Sequence, residues 1–256
     1  MADRLLEGDT ALVTGGAAGI GRGIVMALAQ EGARVLCADI DAGKGAAVEA
    51  EARRAGLDVT FAAADLATPE GARALWANAV ARLGKVSVLV HGASPRRVEG
   101  DTVLSVTDAT WDAMVNVNLR AGFVLGQEAA RHMRQHRIKG RILYVTSLHA
   151  ETPRNLPHYS AAKAGTTMVM KELARALGPD GIRVNAIAPG AVPGGGFAGM
   201  PGLVDLIPLG RVGTPDDIAQ MAVAVLSERF GRYVTGATIA VDGGMDTISW
   251  MPRPAL

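Results

Sequence analysis

The chain has 256 residues, 49% apolar and only 4% aromatic, with a formal net charge of +1. A charge so near balance gives no electrostatic reason to expect nucleic acid or an anionic membrane as a partner. A single cysteine, Cys37, excludes an internal disulfide framework and fits a reducing, cytoplasmic setting. It lies in the apolar run ARVLCAD and reads as a small core residue. The core must be built from Ala, Val, Leu, Ile and Met. The 32 glycines point to many positions of positive φ or close backbone approach.

The opening MADRLLEG lacks an apolar run of signal-peptide length, so no secretory signal is expected. Uncharged residues extend from Val184 to Val204, but their proline and glycine density excludes a lipid-exposed helix. Short apolar runs predict strands at 10–14, 34–38, 58–62, 86–90, 141–145, 182–187 and 237–241. Helical periodicity predicts helices at 20–31, 43–55, 69–83, 109–136, 159–177 and 215–227. Strands apolar on both faces and alternating with helices indicate a parallel sheet covered on both sides. The expected architecture is one α/β domain over residues 1–256, doubly wound and Rossmann-type, with ligands at the carboxyl ends of its strands.

The first strand runs into TGGAAGIGRG, with Gly15, Gly19 and Gly21 before the first helix. A tight turn free of side chains, followed by a helix N-terminus, suits a pyrophosphate. Asp39 closes the second strand, where a carboxylate can accept both ribose hydroxyls and repel a 2′-phosphate. Ala18 and Ile40 supply no arginine for such a phosphate, so NAD is favoured over NADP. After the third strand, Asp65 could meet the adenine edge.

ASPRRVE after the fourth strand carries Arg96 and Arg97; His149, Arg154 and His158 follow the fifth. Convergence of two or more would make a cationic pocket and favour an anionic sugar or hydroxy acid. RHMRQHR (131–137) reads as a cationic helix end complementing the helix dipole. Thr214, Pro215, Asp216 and Asp217 form a helix-start signal, and Gly178 with Pro179 a stop. Residues 190–207, with Phe197, Met200 and Leu203 as apolar fillers, are expected to form a lid over a compact substrate. The tail 246–256 is expected to reach a neighbouring subunit. No metal site is read.

Ser147 ends the fifth-strand run, and Tyr159 and Lys163 stand at i and i+4 on one helix face. An ammonium ~4 Å from a phenol at an effective dielectric of ~20 favours the phenolate by roughly 4 kcal/mol. The spacing alone fits an ordinary exposed surface pair better. TGGAAGIG (14–21), YSAAK (159–163), Ser147 and VNVNL (115–119) together resemble the short-chain dehydrogenase/reductase family, as do IRVNAIAPG (182–190), PLGRVGTPDDIA (208–219) and YVTGATIAVDGG (233–244).

The resemblance implies Tyr159 as acid/base, Lys163 as its partner and nicotinamide-ribose ligand, Ser147 as substrate anchor and Asn118 as relay support. It also implies a cofactor surface of Gly15, Ala18, Gly19, Ile20, Gly21, Asp39, Ile40, Asp65, Leu66, Ala93, Pro189, Gly190 and Val192, and a homotetramer. Two departures stand out. HGAS (91–94) puts His91 where the family has the first asparagine of Asn-Asn-Ala-Gly, and AVPGGG puts glycine where a carboxamide-binding threonine is usual. The expected activity is NAD-dependent oxidation of a secondary or anomeric hydroxyl. The alternatives are an NADPH-dependent reductase of the 3-oxoacyl thioester kind and a non-catalytic nucleotide sensor.

Overall fold

The computed structural model describes residues 4–98, 100–197 and 199–247. Seven parallel strands form one sheet in the order β3-β2-β1-β4-β5-β6-β7. They are β1 (Thr10–Thr14), β2 (Arg34–Asp39), β3 (Val59–Ala63), β4 (Val88–His91), β5 (Arg141–Val145), β6 (Arg183–Pro189) and β7 (Thr238–Val241). The longer helices are α1 (Gly19–Gln30), α2 (Ala42–Arg54), α3 (Pro69–Leu83), α4 (Asp108–Val115), α5 (Ala121–Gln135), α6 (Pro157–Leu177) and α8 (Pro215–Leu226). Two single-turn helices, α7 (Leu203–Leu206) and α9 (Glu228–Gly231), complete the set.

Alternate strand residues feed two separate cores, as a period of two dictates. Ala11, Val13, Val35, Val90 and Val145 pack beneath α1, α2 and α8. Leu12, Leu36, Leu89, Ile142 and Tyr144 pack beneath α3, α5 and α6. Cys37 belongs to the first core, where burial pushes its thiol up to about 12, consistent with an inert packing residue.

The helix signals at α8 operate as read. Thr214 and Asp217 form a reciprocal cap with Pro215 in the first turn. The expected helix 109–136 is continuous from 108 to 135, but it widens to a π-helical turn at Asn116–Arg120, between α4 and α5. The reading of 131–137 as a cationic helix end is corrected at His132. This side chain is buried, and its Nε2 accepts the Val86 N–H at 3.1 Å, so desolvation lowers its pKa and it adds no charge there. The tail from residue 248 on, with Trp250 and Met251, lies outside the described residues.

The strand order reverses between β1 and β4, which opens a crevice at their carboxyl ends. The glycine turn can lie in that crevice because Gly15 and Gly21 present no side chain to the backbone beside them. A Cβ on Gly15 would lie 2.8 Å from the Ala93 backbone, and one on Gly21 1.9 Å from the Gly15 carbonyl oxygen. At Gly19, with φ +52°, a Cβ would meet nothing within 4 Å. Gly21→Ala is therefore expected to cost about 3 kcal/mol through overlap with fixed backbone. Gly19→Ala is expected to cost only about 1 kcal/mol, for the left-handed conformation. Urea unfolding of the two variants checks this, and equal losses would contradict it.

Candidate active site

Behind the glycine turn, α1 starts at Ala18 without a side-chain cap or an acidic residue in its first turn. Its first N–H groups thus have no side-chain acceptor, and the open face at Gly19 lies beside them. This cradle fits a pyrophosphate. Asp39 lies at its edge, with Oδ2 accepting the Ala17 N–H at 3.0 Å and Oδ1 the Asp41 N–H at 3.1 Å. Each oxygen keeps a lone pair for a ribose hydroxyl. Arg22, on the adjoining helix, forks the Glu51 carboxylate at 2.5 and 2.6 Å and is thereby committed. Ile40 is exposed at the same rim, while Leu66 is buried. Asp65 turns its Oδ1 to the Ala67 N–H at 2.9 Å.

His91 joins this cradle to the π-helical turn. Its Nε2 lies 3.1 Å from the carbonyl oxygens of both Val117 and Asn118, and its Nδ1 lies 3.0 Å from Thr14 Oγ1. Two carbonyls can only accept, which assigns the proton to Nε2 and leaves Nδ1 to accept from the Thr14 hydroxyl. Thr14 Oγ1 in turn accepts the N–H groups of Gly92 and Ala93 at 3.2 and 3.3 Å. The sequence alone did not show Thr14 in this role. Burial, and then the Lys163 charge, lower the His91 pKa to about 4, so the ring is neutral.

The Asn118 carbonyl also accepts from Thr166 Oγ1 at 3.3 Å. Its side-chain Nδ2 donates to the Met114 carbonyl at 3.0 Å. The Oδ1 atom is buried without a hydrogen-bond partner among the described residues.

Ser147 follows β5, and its Oγ accepts the His149 N–H at 3.3 Å. With Pro157 in the first turn of α6, Tyr159 and Lys163 are carried inward one turn apart. The Tyr159 ring is boxed in by His149, edge-on at 5.0 Å, by Arg97 Cζ at 5.0 Å and by Lys163 Nζ at 5.5 Å from its centroid. Lys163 is buried and donates to the Val145 carbonyl at 2.8 Å. Burial first, and Arg97 second, push its pKa down to about 7.

Ser147 lines a cavity of about 270 Å³ together with Arg97, His149, Arg154 and Phe197. Pro189 and Gly190 form part of its floor, and Leu148, Asn155, Ala191, Met200, Leu203 and Met245 complete the lining. Of these last six, Met200 and Leu203 belong to the expected lid segment, whereas Leu148, Asn155, Ala191 and Met245 lie in short turns and loops whose path no periodicity announces. A tight hairpin at Gly194–Phe197 places Phe197 in the cavity wall, and the Gly195 carbonyl accepts the Arg97 N–H at 3.0 Å. Two residues of the expected cationic set fall outside. Arg96 is exposed, and His158 is fully buried with Nε2 3.8 Å from Asp101 Oδ2. Val192 is buried in the core beneath α1 and α8.

Comparison with known proteins agrees with this geometry. The family model described as enoyl-(acyl carrier protein) reductase matches residues 15–246. The chain belongs to the short-chain dehydrogenase/reductase family. A Rhizobium meliloti protein named "Probable galactose dehydrogenase GalD" is 43% identical over 183 residues, 71% of this chain and 70% of that protein. An L-rhamnose 1-dehydrogenase (NAD(P)(+)) of Azotobacter vinelandii is 35% identical, over 94% of this chain and 98% of its own. Among solved structures, a 3-ketoacyl-(acyl-carrier-protein) reductase from Brucella melitensis complexed with NADH superposes with a TM-score of 0.88. It is 32% identical over 94% of this chain and 99% of that one. This short-chain dehydrogenase/reductase is an NAD(P)-dependent oxidoreductase acting on CH–OH groups.

His91 is the unusual member of the site, and its neutrality has a measurable consequence. The unfolded chain binds a proton at His91 near 6.5 and the folded protein only near 4. Stability is therefore full above 6.5 and falls as pH is lowered through that window. Urea titrations at pH 7.5 and 5 are expected to show a smaller loss for His91→Asn than for the parent. An identical loss in both would contradict the assignment.

Proposed function

We propose that the protein is an NAD-dependent dehydrogenase that oxidises a secondary or anomeric hydroxyl of a small polar substrate of the sugar type, and runs reversibly as a reductase. The observation that carries this reading is the enclosure of the Tyr159 ring beside the buried Lys163, one wall away from Ser147 and the cavity. In the proposal Ser147 Oγ holds the substrate oxygen and Tyr159 takes its proton. Lys163 balances the phenolate and reaches the nicotinamide ribose. Asn118, fixed by His91 and Thr166, offers its carbonyl region to the proton relay. Bound NAD supplies the hydride acceptor.

Asp39, Ile40 and Asp65 are assigned to the adenosine half, and Gly15, Ala18, Gly19, Ile20 and Gly21 to the pyrophosphate. Leu66, Ala93, Pro189, Gly190 and Val192 are assigned to the remaining cofactor surface. Main-chain groups of 190–192 stand in for the threonine that the chain lacks. The Asp39 carboxylate at the ribose edge supports NAD over NADP, since a 2′-phosphate beside it would be repelled.

The sugar class draws on the galactose and rhamnose dehydrogenases to which the chain is similar. The compact cavity agrees with it and offers little room for a long acyl chain. A reductase of 3-oxoacyl thioesters is the second reading, supported by the likeness to the Brucella melitensis enzyme. A cytoplasmic homotetramer completes the proposal. Among the described residues no helix is long and apolar enough to cross a membrane.

The test is a panel of aldoses, polyols and hydroxy acids with NAD or NADP, followed by NADH or NADPH absorbance. The expected outcome is turnover with NAD in preference to NADP, with kcat about 10²- to 10⁴-fold lower in Tyr159→Phe. Equal rates in that variant would overturn the assignment.

A further inference from the structure

Resting on the dehydrogenase reading, we propose that His149 selects the substrate. Its Nε2 atom hydrogen-bonds a second hydroxyl, one or two carbons from the one oxidised, so the enzyme takes diols and sugars and discriminates against their deoxy analogues.

His149 is fixed on three sides. Its backbone N–H donates to Ser147 Oγ at 3.3 Å, because Ser147 caps the single turn Leu148–Ala150. Its Nδ1 lies 3.3 Å from Ser160 Oγ on α6. Its ring stands at 81° to that of Tyr159, with centroids 5.0 Å apart. What remains is Nε2. This atom makes no hydrogen bond among the described residues, and it is not sealed inside the protein as both nitrogens of His158 are. His149 lines the cavity, so Nε2 is the polar atom that its ring has left to offer there.

The chemistry of that atom matches a hydroxyl. Burial, and then the charges of Arg97, Arg154 and Lys163, lower the His149 pKa to about 4. The ring is therefore neutral, with one nitrogen donating and the other accepting. Ser160 Oγ pairs with Nδ1 in either tautomer, and a substrate hydroxyl pairs with Nε2 in either, since a hydroxyl both donates and accepts. An arginine in the same wall can only donate. Phe197, Met200, Leu203 and Met245 make much of the remaining wall apolar. A nitrogen left unmatched there loses its water without compensation.

The same contacts place the second hydroxyl. His149 touches both Ser147, which holds the reacting oxygen in the proposed reaction, and Tyr159, which takes its proton. A hydroxyl on Nε2 therefore belongs to a carbon close to the reacting one.

Deoxy analogues supply the test: D-galactose and D-glucose, each with its 2-deoxy and 3-deoxy forms, and propane-1,2-diol with propan-2-ol. kcat/KM with NAD is compared in the parent enzyme, His149→Leu, His149→Gln and Ser160→Ala. The parent is expected to prefer a full compound over one of its deoxy forms by about 10- to 100-fold, the scale of a polar group left unpaired in a site. His149→Leu should lose the preference through a lower kcat/KM for the full compound, with the deoxy form nearly unchanged. His149→Gln, whose amide reaches the place of Nε2, should restore it in part, and Ser160→Ala, which frees the ring, should weaken it. The ratio should be equal at pH 6 and pH 8, because the ring is neutral at both. No preference in the parent, a preference that His149→Leu leaves intact, or a ratio that grows on acidification overturns the proposal.

If no compound is oxidised, calorimetric titration of the same compounds into the enzyme with NADH decides it. Binding of a full compound that is lost both in its deoxy form and in His149→Leu upholds the His149 site while the dehydrogenase reading falls. No binding of any compound overturns it. Oxidation that ignores the second hydroxyl leaves the dehydrogenase reading standing and removes this one.

Discussion

The lysine amine buried at the end of β5 is the constraint around which the rest of the site is arranged. Taking an ammonium out of water costs several kcal/mol unless partners are supplied. The described partners of Lys163 are the Val145 carbonyl and the face of the Tyr159 ring. Burial and Arg97 together bring the amine to about 7, so it exchanges its proton in the neutral range, where an exposed lysine stays charged. Every neighbouring feature keeps this balance: the helix that sets the one-turn spacing, the strand end that supplies the carbonyl, and the arginine that opposes the second charge.

The second organising feature is the chain of bonds from Thr14 through His91 to Asn118. It ties the strand before the glycine turn, the strand beside it and the π-helical turn to one neutral imidazole. An asparagine, usual at this place in the family, is shorter and carries both donor and acceptor on one amide. The imidazole spans a longer gap, and Gly122 makes room for it, since a Cβ there would lie 2.9 Å from the ring. The substitution is thus accommodated by a specific neighbour, and the backbone carbonyl of Asn118 stays anchored.

Much of the fold was legible because both faces of the sheet are buried, so strand runs stand out as apolar blocks between helices. Strand ends shifted by one or two residues where the apolar run and the hydrogen-bonded ladder do not coincide, as at Val88–His91. The widening at Asn116–Arg120 was not legible. Its residues suit a helix, and the widening accompanies contacts from His91 and Thr166, which are far off in sequence.

Of the candidate site, the placing of Tyr159 beside Lys163 was legible from their spacing, and the composition of the pocket only half so. Arg97 and Arg96 are adjacent in an irregular loop, and nothing local says which faces inward. His158 is different, because consecutive helix residues are rotated by about 100°. With Tyr159 turned towards His149 and Lys163, its helical neighbour points elsewhere, and His158 is turned towards Asp101. His149 does reach the pocket, but as a neutral ring, because burial outweighs its small intrinsic basicity.

The pH dependence of kcat/KM for hydroxyl oxidation tests the central claim most directly. The account predicts a single-proton rise with an apparent pKa near 7 that belongs to the Tyr159–Lys163 pair jointly, and its disappearance in Lys163→Met. A profile that is flat across the neutral range, or one that rises only near the ordinary phenol value of about 10, would contradict it.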